Sequence, residues 1–272
     1  MGFGGERVKP VIRYPGAKWR LAQWIISHFP PHTTYLEPYV GSGAVILNKP
    51  RSHCETINDI DGDITNLFKV IRENTEELAK MIYMTPWSRQ EYNLSYEKTG
   101  IELEDARRFL VRLWMAHGTR TNTKTGWRSD VQGKQGSSVA KVWTKLPDRI
   151  LKVAERLRGV QIENQTDLEV IGRYKFKEVL IYADPPYLLY TRSQKMYANE
   201  MTEQQHILLL DALDDHPGPV ILSGYDNELY NERLKQWKRK TISALADKGR
   251  LREEVVWINP VSTEGMRNIF NF

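Results

Sequence analysis

The chain has 272 residues and a single cysteine, Cys54. One thiol excludes an internal disulfide framework and a cysteine-rich zinc site, and it agrees with a reducing cytoplasm. No apolar run approaches the roughly 20 residues needed to cross a bilayer. The opening residues, Met-Gly-Phe-Gly-Gly-Glu, lack the long apolar stretch of a secretory signal. The expectation is a cytoplasmic protein with no membrane attachment. There is no Walker A sequence, so phosphate binding is not indicated. There is no internal repeat and no low-complexity tail. Hydrophobic residues make up 40% and charged residues 27%, the balance of a folded chain rather than a disordered one. The length suits one large domain, or a core domain carrying an insert.

What is present is unevenly charged. The net charge is +5, yet residues 112–158 hold eleven Lys/Arg against three Asp/Glu, a local excess of +8 that leaves −3 elsewhere. A basic block on a near-neutral body is the footprint of a polyanion site; a solvated helix face is the plainer alternative. A smaller cluster, Lys238-Arg239-Lys240, reads first as an exposed turn.

The hydrophobic pattern divides the chain. Residues 18–29 have helical spacing and stop at Pro30-Pro31. Strands are expected at 34–37 and 53–58, a helix start at 44–47 and a helix at 63–73, the opening of a doubly wound sheet. From about residue 75 the pattern becomes helical, at 76–83, 88–96 and 102–116, with no strands. Residues 118–142 then lack periodicity, a length of loop that is usually functional or disordered. A basic helix follows at 148–158. Strands resume at 160–163, 178–183 and 220–223, with a helix at 202–215 and antiparallel strands within 236–258. The fold class is therefore α/β, a Rossmann-like sheet domain over 1–74 and 160–272, interrupted by a mainly helical basic insert over 75–159.

The most telling run is an apolar strand leading into Asp184-Pro185-Pro186-Tyr187. Two successive prolines have fixed φ and no N–H, so the turn is stiff and its carbonyls have set directions. Asp184 and one such carbonyl can accept both hydrogens of an exocyclic amino group, and Tyr187 offers a flat face for a base. Those contacts would bend a planar nitrogen toward the tetrahedral form that attacks a sulfonium methyl. Proline also simply ends strands, but the preceding strand and following tyrosine favour the chemical reading.

A second group lies upstream. Glu37-Pro-Tyr39-Val-Gly41-Ser-Gly43 sits where a strand meets a helix start, and glycines there let backbone approach a ligand. A lone Gly-x-Gly is weak and a plain turn competes with it. Asp59, 22 residues past Glu37 and at the end of the next strand, is where an acid binds ribose hydroxyls. The third glycine of a dinucleotide fingerprint is missing, so a nucleoside without phosphates fits better, and S-adenosylmethionine is one. Arg13-Tyr14-Pro-Gly-Ala-Lys18 could lie over its amino-acid end or be a plain turn with an exposed lysine. Asp167 could accept from an adenine amino group, or it or Thr166 could cap the following helix.

Together these residues resemble the Dam-like, D12 class of N6-adenine DNA methyltransferases, in the α-type order and over nearly the whole chain. Arg-Tyr-Pro-Gly-Ala-Lys18 is similar to the family's Pro-Gly-Gly-Lys motif, with Ala17 for the second glycine. Glu37-Pro-Tyr-Val-Gly-Ser-Gly43 is similar to its cofactor loop, Asn58-Asp59 to its ribose-binding pair, and Asp184-Pro-Pro-Tyr187 to its catalytic motif. The resemblance implies a class I methyltransferase sheet with a helical target-recognition domain and hairpin. It implies S-adenosylmethionine as cofactor, leaving as S-adenosylhomocysteine, and no metal. It places Tyr14, Lys18, Glu37, Tyr39, Gly41, Gly43, Asp59, Asp167 and Asp184 around the cofactor, and Asp184, Pro185, Pro186 and Tyr187 on the flipped adenine.

The insert departs from the family. Its usual Arg-Tyr-Asn-x-x-Gly-x-Phe-Asn hairpin corresponds here to Gly118-Thr-Arg120-Thr-Asn122-Thr-Lys124-Thr-Gly126-Trp127-Arg128. The base-reading positions differ, so a GATC target does not follow. Arg120, Asn122, Lys124, Arg128 and Lys134 are the expected DNA contacts, Arg reading guanine and Asn adenine where they reach base edges. The expected partners are double-stranded DNA and, in a restriction system, a cognate nuclease acting separately. Rival readings are transfer to cytosine N4, RNA or a protein amide, or a catalytically silent DNA binder. Asp184 disfavours the cytosine reading, and the intact Asp59, Asp184 and Tyr187 disfavour the silent one.

Overall fold

A computed structural model of the protein describes residues 8–118, 120–121, 123–129, 131, 139–192, 195–245 and 251–263. Seven strands form one sheet in the order β3-β2-β1-β4-β5-β7-β6. They are β1 (Thr34–Glu37), β2 (Cys54–Asn58), β3 (Val160–Glu163), β4 (Val179–Ala183), β5 (Val220–Tyr225), β6 (Lys238–Leu245) and β7 (Leu251–Ile258). The first five run parallel, while β7 is antiparallel to both β5 and β6. The strands on either side of the insert thus share a sheet. Its order reverses between β1 and β4, and the crevice at such a switch point is where open α/β sheets bind ligands.

β4 is buried along its whole length, as a central parallel strand covered on both faces must be. Its side chains alternate between two cores. Leu180 and Tyr182 face the one that also holds Tyr35 and Ile57. Val179, Ile181 and Ala183 face the other, closed by α8 (Asp167–Arg173), α9 (Glu203–Asp214) and α10 (Glu228–Arg233).

The inserted helices are α3 (Thr75–Met84), α4 (Arg89–Leu94), α5 (Glu102–Met115), α6 (Val139–Trp143) and α7 (Leu146–Arg156). They have no separate core. Leu78, Ile82, Phe109, Trp114, Ile150 and Val153 join the cluster that contains Tyr35 and Leu180. Trp114 donates to the Val11 carbonyl at 2.8 Å, tying the insert to the N-terminal segment. Arg156 on α7 makes a bidentate pair with buried Glu55 on β2, at 2.7 and 2.9 Å, and Lys49 completes the cluster at 2.6 Å.

Two local expectations change. Residues 44–47 do not begin a helix. One turn forms, with Leu47 N donating to Gly43 O at 3.0 Å and Lys49 N to Val45 O at 2.9 Å, and Pro50 ends it, since a residue before proline avoids the helical region. The stretch 118–142 is not entirely without regular structure. It contains most of α6, and Ala116 bridges Trp127 in antiparallel fashion, with His117 N bonded to Gly126 O at 2.9 Å and Arg128 N to Met115 O at 2.7 Å. α10 was not indicated by the hydrophobic pattern; Asn227 caps it by accepting from Tyr230 N.

Candidate active site

A cavity of about 430 Å³ opens at the switch point, within the range of small-molecule sites. Tyr14, Lys18, Glu37, Tyr39, Gly41, Asp59, Asp167, Asp184 and Pro186 all line it. These residues come from five separate stretches of chain, gathered because each follows a strand end or precedes a helix at the same edge of the sheet.

Gly41 has φ +47°, and a Cβ there would meet the Tyr14 ring at 3.2 Å. Its N–H donates to Asp59 Oδ2 at 2.9 Å, and Asp61 N donates to Asp59 Oδ1 at 3.0 Å. Despite these amides, burial pushes the Asp59 carboxyl up to about 7. Glu37 is more deeply enclosed. Its Oε2 accepts from the Tyr35 hydroxyl at 2.8 Å and from Ile46 N at 3.1 Å, and burial pushes it up to about 8. Neither carboxylate has an ion pair within 4 Å among the described residues. Two desolvated acids beside backbone amides suit a ligand that brings hydroxyls and positive charge, so the residues present fit a sulfonium nucleoside. The neighbouring Asn58 does another job. Its amide donates to Pro38 O at 2.9 Å and Gln165 O at 3.1 Å, stapling the turns after β1 and β3 together.

The alternatives at Asp167 resolve. Thr166 caps α8 through a reciprocal box with Glu169, so Asp167 is free of that role. It accepts from the Tyr39 hydroxyl at 2.5 Å.

Across the cavity, Asp184 is held on both oxygens. Lys18 Nζ lies 3.0 Å from Oδ2, and Ser223 Oγ on β5 donates to Oδ1 at 2.8 Å. Lys18 is not an exposed lysine at all. Burial opposes its charge, but Asp184 and then Glu254 outweigh that and raise its pKa above the ordinary lysine range. Its ammonium also sits 4.7 Å from the centre of the Tyr187 ring. Tyr187 is only 7% exposed. Its hydroxyl donates to Glu254 Oε2 on β7 at 2.9 Å, and its ring packs edge-on against Tyr225 at 4.6 Å. Tyr187 and Pro185 do not line this cavity. Gly43 also faces away, its open side filled by Phe68 at 3.2 Å from an added Cβ.

A sequence profile of the D12 class N6 adenine-specific DNA methyltransferases matches residues 14–247. The chain belongs to that family. DNA adenine methylase of Escherichia coli (strain K12) is 22% identical over 264 residues, 92% of this chain and 94% of the relative. DNA adenine methylase of Salmonella typhi is 22% identical over 239 residues, 84% of each chain. Type II methyltransferase M.MjaIII of Methanocaldococcus jannaschii is 23% identical over 205 residues, 66% of this chain and 69% of the relative. As a D12 enzyme the protein is a DNA adenine-N6 methyltransferase, and the family's methyl donor is S-adenosylmethionine.

Within this methyltransferase several residues at the site carry no motif. Tyr197, Ala198, Asn199, Glu200 and Met201 line the cavity, and Ser223 and Glu254 grip the Asp-Pro-Pro-Tyr turn from β5 and β7. The expected DNA contacts lie apart from the cavity. Arg120 and Lys124 are exposed, with the Lys124 ammonium 4.9 Å from the Tyr96 ring centre. Arg128 is half-buried, and burial lowers its pKa. Asn122 and Lys134 lie outside the described residues. Among the described residues no helix is long and apolar enough to cross a membrane.

Proposed function

We propose that this D12 methyltransferase binds S-adenosylmethionine between the Gly41 turn and Asp59 and presents a flipped adenine to Asp184. The observation that carries the reading is the meeting of Lys18, Glu37, Asp59, Asp167 and Asp184 at one cavity, although up to 166 residues separate them in sequence. Asp59 would accept the ribose hydroxyls, Glu37 and Tyr14 would stand near the amino-acid end, and Asp167 and Tyr39 would face the nucleobase. The bound cofactor supplies an electrophilic methyl on sulfur.

The protein's own work is on the acceptor nitrogen. Asp184 accepts one N–H of the exocyclic amine, and a proline carbonyl of the turn accepts the other. Each carboxylate oxygen has two lone-pair directions, so Ser223 and Lys18 can orient Asp184 while it receives the base. Alignment of nitrogen, methyl and sulfur with water excluded provides the acceleration. The methylated nitrogen is acidic and sheds its proton afterwards. Extruding the adenine costs a few kcal/mol, and stacking on an aromatic side chain returns roughly 1–3 kcal/mol. The Tyr187 hydroxyl bond to Glu254 and its Tyr225 contact set the ring for that purpose.

Residues 75–159 serve target recognition in this reading. Arg120, Lys124 and Arg128, with Asn122 and Lys134, would contact DNA there, and the +8 excess of 112–158 supports it. Acting on DNA, the enzyme would work in the cytoplasm, and in a restriction system a cognate nuclease would act separately.

The test is single-molecule sequencing of DNA from a methylation-free host expressing the chain or Asp184→Ala. N6-methyladenine in one short motif, absent with the variant, is the expected result. DNA binding should persist in Asp184→Ala. Unmodified adenine in both samples would overturn the reading.

A further inference from the structure

We infer that Thr121, at the tip of the insert's hairpin, is the positioning residue through which bound DNA fixes the wall of the cofactor cavity. This rests on the assignment of that cavity to S-adenosylmethionine.

The hairpin base is firm. His117 and Arg128 make backbone bonds across it, and Tyr92 on α4 donates to the Thr125 carbonyl. Its tip reaches away from the insert to the segment that follows the catalytic turn. Thr121 N donates to Met196 O at 3.0 Å. Thr121 Oγ1 accepts from Ala198 N at 3.0 Å and lies 3.4 Å from Met196 O.

Thr121 thus holds the stretch that carries Tyr197 and Ala198, both of which line the cavity. Tyr14 backs the Gly41 turn, and its ring centre lies 5.9 Å from that of Tyr197. Tyr197 in turn closes over Gly16, where a Cβ would meet its hydroxyl at 2.6 Å. The segment is braced internally by Glu200, which accepts from Met196 N at 2.7 Å and Tyr197 N at 3.1 Å and pairs with Arg192 at 2.5 Å. The brace keeps 196–200 in one shape. What it does not supply is a link to the insert, and Thr121 supplies that by bonding Met196 and Ala198 at once.

Arg120 and Lys124 flank Thr121, so phosphates gripped by the tip restrict it to the docked position. A docked tip fixes the stretch carrying Tyr197, whose ring meets Tyr14, and the cofactor then enters a cavity whose wall is already ordered. Coupling between two sites is reciprocal, so DNA must bind more tightly to the cofactor-loaded enzyme by the same factor.

The experiment is calorimetric titration of S-adenosylhomocysteine, which cannot turn over, into the full chain. It is done with and without a short unmethylated duplex carrying the motif that sequencing returns. Wild type should bind it at least about five-fold more tightly with DNA, the low end of common coupling factors. In Thr121→Val, which keeps the shape and deletes the hydroxyl, that ratio should fall toward one, and Thr121→Ser should restore it. In turnover, Thr121→Val should raise KM for S-adenosylmethionine and leave kcat nearly unchanged, the signature of lost uniform binding. A wild-type ratio of one, or an unchanged ratio in Thr121→Val, would overturn the coupling and leave the cavity assignment standing. Failure of wild type to bind S-adenosylhomocysteine at all would overturn the cavity assignment and the coupling together.

Discussion

On the β1–β2 side of the cavity, Glu37 and Asp59 are buried acids fed only by backbone amides and a tyrosine hydroxyl. On the β4–β5 side, Asp184 has an ammonium on one oxygen and a serine on the other. The first pair has its carboxyls pushed up to about 7 and about 8 by desolvation, and a positively charged ligand relieves that cost. The second is already balanced and oriented before any substrate arrives. One side is built to gain from binding, and the other to be ready for chemistry.

This contrast can be broken from either side. Asp59→Ala should have the largest effect on affinity. Losing a charge-assisted hydrogen bond costs about 1.5–3 kcal/mol, so S-adenosylhomocysteine binding should weaken roughly 10- to 100-fold by calorimetry. Equal affinity in the variant would show that Asp59 is not on the cofactor.

On the chemical side, Glu254→Ala leaves the buried Tyr187 hydroxyl without its acceptor. A bond to a charged acceptor is worth about 1.5–3 kcal/mol, so kcat should fall roughly 10- to 100-fold while cofactor affinity holds. Glu254→Gln keeps an acceptor and should stay near wild type. Tyr187→Phe combined with Glu254→Ala should be no worse than either alone, as expected of residues acting through one contact. Additive losses would separate them.

The smallest effect is one of pH, and it has opposite signs for stability and binding. Free carboxyls titrate near pH 4, below the raised values of Asp59 and Glu37. The folded, cofactor-free chain therefore holds more protons than the unfolded chain between about pH 4 and about 8. Its stability from these two groups is greatest at the acid end and declines as pH rises through that window. Cofactor affinity should rise several-fold over pH 6–8, because the ionised acids are the better acceptors. Thermal melts and titrations at matched pH values would check both slopes. Slopes of the same sign would mean that these acids do not titrate with the ligand.

Much of this arrangement was legible before any coordinates. The positions of the parallel strands follow from short runs leading to Glu37, Asp59 and Asp184, because those runs mark strands and the acids their open ends. Local chemistry misled at residues 44–47, where helical residues were stopped by Pro50. Ser223, Glu254 and Tyr197 left no trace, since each acts across 39, 67 and 182 residues of chain respectively. Contacts at such distances arise from how the sheet is ordered, which neither periodicity nor spacing reports. Thr121 was hidden for a different reason. It stands among the basic residues most suited to DNA, where an uncharged side chain draws no notice.

The bidentate pair between Arg156 and Glu55 bears on how such enzymes acquire new targets. An insert that shared nothing with its host could be exchanged like a cassette. Here a graft that removed 75–159 would leave Glu55, 3% exposed, with Lys49 at 2.6 Å and Arg51 at 4.0 Å but without its bidentate partner. Losing a charge-assisted hydrogen bond costs about 1.5–3 kcal/mol, a large share of a domain's stability. A chimera meant to change sequence preference should therefore keep α7 with the host and splice within 116–139.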